Sequence, residues 1–64
     1  MSTTENVTKA AMNYVIAEYP GESPALLAMY DEGSVVTVLI CGNNQNYHVG
    51  INEELDVVKC IVAL

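Results

Sequence analysis

Sixty-four residues allow one domain, 1–64, because a second core would have too little chain to enclose it. A formal net charge of −6, from eight acids against Lys9 and Lys59, speaks against direct nucleic-acid binding, which needs a positive footprint for phosphates, and against an anionic membrane surface. With 52% hydrophobic and only 16% charged residues, disorder is excluded, and the chain carries more apolar side chain than one small core hides.

The opening segment carries helix signals. Ser2 and Glu5 have capping-box spacing, with Thr3 or Thr4 as alternative caps. Val7, Ala11, Tyr14, Val15 and Glu18 then share one side, Met12, Ile16 and Tyr19 widen the apolar stripe, and Asn6, Lys9 and Asn13 face away. So broad a stripe suggests two contacts. Pro20 stops the helix, since the residue before proline is pushed out of helical conformation, and Gly21 permits a sharp exit. The spacing predicts a helix over about residues 4–19.

Residues 24–30 are ambiguous. Ser23-Pro24 reads as a helix start, and Ala25, Leu26, Leu27, Ala28 and Met29 favour helix. Asp31-Glu32-Gly33-Ser34 reads as a short turn before a β-branched run, which favours a hairpin instead. Val35 to Cys41 is the clearest strand: Val36, Val38 and Ile40 point one way and Val35, Leu39 and Cys41 the other, as in a central strand covered on both faces. Gly42-Asn43-Asn44-Gln45 reads as a turn. Asn46 to Ile51 alternates, with Tyr47, Val49 and Ile51 on one face and Asn46, His48 and Gly50 on the other. Residues 55–63 fit a helix by periodicity and a strand by β-branching, and we lean to strand.

Few residues carry obvious chemistry. His48, the one side chain whose ordinary pKa lies near neutrality, is the first candidate for acid–base work, yet no neighbouring motif orients it. Cys41 and Cys60 sit in apolar runs, as free buried thiols do, with a cross-strand disulfide between them as the alternative if the tail pairs beside the central strand; no Cys-x-x-Cys or Cys–His spacing suggests a redox or metal site. The loop holding Asn43 and Asn44 could serve a ligand together with His48, although turn formation explains it as well. Tyr14, Tyr19, Tyr30 and Tyr47 are the best interface anchors, because tyrosine buries area while keeping a polar tip. Asp31, Glu32, Glu53 and Glu54 form acidic pairs that can meet a basic partner.

The expected fold is α+β, an N-terminal helix packed on an antiparallel sheet of three or four strands, with the C-terminal segment strand or helix. Folding alone leaves so short a chain near zero net stability, so self-association as a homodimer is expected to supply the remainder. The expected function is a small acidic cytoplasmic binding protein, of a kind encoded by phages or mobile elements, that inhibits or regulates a larger macromolecule through a protein target with a basic patch. No catalysis, cofactor or metal, and no membrane or nucleic-acid contact, is expected. The alternative is a homo-oligomeric binder of a nucleotide or metabolite, using the polar loop and His48.

Overall fold

A computed structural model describes residues 4–63. The elements are α1 (Thr4–Glu18), β1 (Ala25–Asp31), β2 (Val35–Cys41), β3 (Asn46–Asn52) and β4 (Val57–Ala63). The strands form one antiparallel meander in the order β1-β2-β3-β4, and α1 lies across one face of it. Ser2 and Thr3, proposed as caps, lie outside the described residues. Both ambiguous segments are strands, because each completes the hydrogen bonding of a neighbour: β1 pairs with β2 and β4 with β3.

The helix ends as the sequence dictates. Tyr19 N–H donates to the Val15 carbonyl at 2.9 Å, Pro20 cannot continue the ladder, and Gly21 takes a φ of 97° that favours glycine. At the β1–β2 turn Gly33 sits at φ 91°, with its N–H donating to Asp31 Oδ1 at 3.0 Å. One side of α1 buries Val7, Ala11 and Val15. They pack on the sheet residues Val38, Ile40, Tyr47, Val49 and Ile51, and each fully buried large side chain contributes about 1.5–3 kcal/mol.

Strand register assigns the two faces. Met29, Val38, Val49 and Cys60 form one row beneath the helix, and Ile40, Tyr47 and Val62 belong to another. The intervening rows, Ala28-Leu39-His48-Ile61 and Tyr30-Thr37-Gly50-Lys59, point to the opposite face. No element of the described chain lies on that face. The expectation that β2 is covered on both sides is therefore corrected: the single helix covers one, and Val35, Leu39 and Cys41 stay half-buried. The broad helix stripe is likewise only partly used, with Ile16 53% exposed.

The folded surface is 4000 Å², and the area law for a compact 6.9 kDa chain gives roughly the same value. The core is thus no larger than its size class allows. The excess apolar content stands on the surface, at Leu26, Leu27, Tyr30, Val58, Ile61 and Val62 among others.

Candidate functional site

Because β1 rises to the β1–β2 turn and β3 to the β3–β4 turn, both turns lie at one end of the sheet. The N-terminal turns of α1 reach the same end, since Val7 lines a cleft there with Asp31, Gly33, Ile51 and Glu53. Glu5, Asp31, Glu32, Glu53, Glu54 and Asp56 all fall at this end, leaving only Glu18 and Glu22 of the eight acids elsewhere. The cleft has a volume of about 530 Å³, an apolar floor of Val7, Val36 and Ile51, and a rim carrying Asp31, Glu53 and Glu54. We call this end the acidic pole.

Asn52 organises the β3–β4 side of the pole. Its Oδ1 accepts from Glu54 N–H at 3.0 Å and Asp56 N–H at 2.9 Å, while its carbonyl accepts from Leu55 N–H at 3.0 Å. This closure holds Leu55 at φ 66°, a conformation that costs a β-carbon-bearing residue about 1–2 kcal/mol. A leucine is thereby fixed among carboxylates at the tip of the molecule. On the β1–β2 side, Thr37 Oγ1 donates to Glu32 Oε1 at 2.8 Å, folding Glu32 over the rim of the helix-free face.

The opposite end is knitted by Glu22. Its Oε1 accepts from Asn43 N–H at 2.7 Å and its Oε2 from the Tyr47 hydroxyl at 2.7 Å, while Gln45 Nε2 donates to that same hydroxyl oxygen at 2.9 Å. Asn43 returns the contact through Nδ2 to the Gly21 carbonyl at 3.0 Å, and its Oδ1 accepts from Ser23 N–H at 3.3 Å. The Asn43 N–H, then the Tyr47 hydroxyl, hold the Glu22 carboxyl below its ordinary range, against an opposing effect of burial. Nothing local in the sequence signals this latch.

The sequence-derived site residues divide among these regions. Asp31, Glu32, Glu53 and Glu54 converge on the acidic pole. Tyr30, 54% exposed, stands on the helix-free face. Tyr14 and Tyr19 are half-buried against the core, and burial raises their hydroxyls above the usual range. Tyr47 corrects its assignment as an interface anchor: at 0% exposure it is core, its ring tilted against Tyr19 with centroids 4.8 Å apart and its polar tip satisfied internally. Asn43, Asn44 and His48 do not line the cleft at the acidic pole. Asn43 is engaged by the linker before β1, Asn44 is exposed in its turn, and His48 lies on the helix-free face between Leu39 and Ile61.

Both cysteines are free, and register places Cys41 on the helix-free face and Cys60 beneath the helix. Burial pushes the Cys60 thiol up. Among the described residues no group of three or more His, Cys, Asp or Glu could hold a metal ion, and no helix is long and apolar enough to cross a membrane. No protein-family model matches the chain, and no curated protein or solved structure is significantly similar to it.

Proposed function

We propose that the chain is a small binding protein that inhibits or regulates a larger macromolecule, seating a basic patch of its target on the acidic pole. The observation that carries this reading is the collection of acids around one cleft with an apolar floor. A lysine or arginine side chain has matching chemistry, a cationic head for the carboxylates and an aliphatic stem for Val7, Val36 and Ile51. Leu55, held at the tip by the Asn52 turn, supplies an apolar contact beside the charges. Among the described residues no lysine or arginine lines the cleft, which favours a protein target over nucleic acid. The protein acts in the cytoplasm as a homodimer, without catalysis, in this reading.

The test is capture from lysate of the source cell by immobilised wild-type chain and by a Glu53→Gln/Glu54→Gln/Asp56→Asn variant, at low and high salt. The proposal expects a basic protein retained by the wild type, released by salt, and not retained by the variant. Equal retention by both chains overturns it.

A further inference from the structure

The helix-free face of the sheet is unlike the rest of the surface. Among the described residues, the only charged side chain at its strand positions is Lys59, with Glu32 folded onto Thr37 at its rim. Tyr30 and Ile61, 54% and 55% exposed, stand on its two edge strands. A basic target finds no carboxylate field in the middle of this face, so the charges that suit the acidic pole argue against the same partner here. A second copy of the chain brings one lysine, Lys59, to an otherwise uncharged set of strand positions, a smaller charge than a basic patch carries.

Size and symmetry point the same way. Four strands of seven residues, at ~4.8 Å between strands and ~3.3 Å per residue, outline roughly 19 by 23 Å. That projection is about 440 Å². That is a little over half of the about 800 Å² per partner of a standard specific interface, which places a dimer on this face in the small, weak class. Two in-plane two-fold axes can bring the faces together. An axis along the strands sets the two acidic poles side by side, carboxylates against carboxylates. An axis across the strands, at the level of Met29, Val38, Val49 and Cys60, sends the poles to opposite ends of a molecule 32 Å long, well beyond the ~8 Å screening length at physiological salt. The crosswise axis sets Tyr30 on Ala28 of the second copy, Leu39 on Thr37 and His48 on Gly50, and lays the aliphatic stem of Lys59 along Ile61.

The geometry points to an antiparallel, face-to-face homodimer built on the helix-free sheet face, with one acidic pole free at each end. This rests on the proposed self-association and names its surface; the target-binding reading stands independently of it.

The test mixes complementary variants and reads solution mass by light scattering at tens of micromolar, with circular dichroism confirming that each variant is folded. The wild type is expected to be dimeric. Ala28→Glu and Tyr30→Lys, each alone, are expected to weaken the dimer at least tenfold, and their mixture to recover it, because the two introduced charges are opposite and face each other across the interface. Rescue of Ala28→Glu by Ile61→Lys, but not by Tyr30→Lys, selects the lengthwise axis and overturns the arrangement. A wild-type dimer indifferent to all three substitutions overturns the face while leaving self-association intact. A monomeric wild type overturns the self-association itself, and a target still captured by that monomer leaves the acidic-pole proposal standing.

Discussion

Gly42→Ala is the substitution on which the packing at the Glu22 latch is most exposed to test. A β-carbon at residue 42 meets Glu22 Oε2 at 2.7 Å, Glu22 Oε1 at 2.8 Å and a Tyr47 ring carbon at 2.8 Å, all closer than real contacts allow. The carboxylate end can swing aside, but only by leaving both Asn43 N–H and the Tyr47 hydroxyl. The ring cannot follow, because Tyr47 is fully buried and packed at a tilt against Tyr19. Overpacking of this kind costs about 1–3 kcal/mol. In a domain of this size that is on the order of 5–20 °C in Tm, measurable by circular dichroism. A second readout identifies the cause. The Glu22 carboxyl is held below its ordinary 4.5, so its contribution to stability is complete above that pH and is lost as pH falls through the lowered value. The stability difference between wild type and variant in urea melts should therefore be smaller in acid than at pH 7, the variant having already lost the latch, while the part owed to the Tyr47 ring persists at both. A Gly42→Ala chain as stable as wild type at pH 7, with an unchanged acid dependence, refutes the reasoning.

The remaining expectations are direct. Ile40→Ala, beneath the helix, should cost about 2–5 kcal/mol and nearly unfold the chain, whereas Ile61→Ala on the helix-free face should cost the monomer less than about 1 kcal/mol; comparable urea midpoints contradict the assignment of faces. Cys60 should react with a thiol reagent at pH 7 more slowly in the folded chain than in urea, because burial raises its thiol; equal rates contradict that. Mild oxidation should give no intramolecular disulfide by mass spectrometry, since the two thiols lie on opposite faces of the sheet, and formation of one contradicts the register.

The helix and the two central strands were legible because their signals are local: apolar spacing from Val7 to Val15, the Pro20-Gly21 stop, and the β-branched run from Val35. Residues 25–31 and 57–63 were legible only as a lean toward strand, because their own propensities conflict and each becomes a strand by completing a neighbour's hydrogen bonds. The acidic pole was half legible. Asp31-Glu32 and Glu53-Glu54 stand out as pairs, but only a meander brings the two turns to one end and places Val7 beneath them. Tyr47 was misjudged because the group that satisfies its hydroxyl, Glu22, lies 25 residues away and gives no local sign of facing it. The uncovered face was not legible because it depends on where the one helix of residues 4–63 packs: it lies on one side of the sheet, and none of the described elements covers the other.

If the apolar excess of this chain is surface meant for contact with another molecule, the purified chain should associate with itself. Sedimentation velocity across the micromolar range tests this most directly. The predicted result is a concentration-dependent shift from the 6.9 kDa chain to a species of twice that mass, with about half of the chain associated at some micromolar concentration. A single 6.9 kDa species at every concentration, folded and thermally robust, contradicts it.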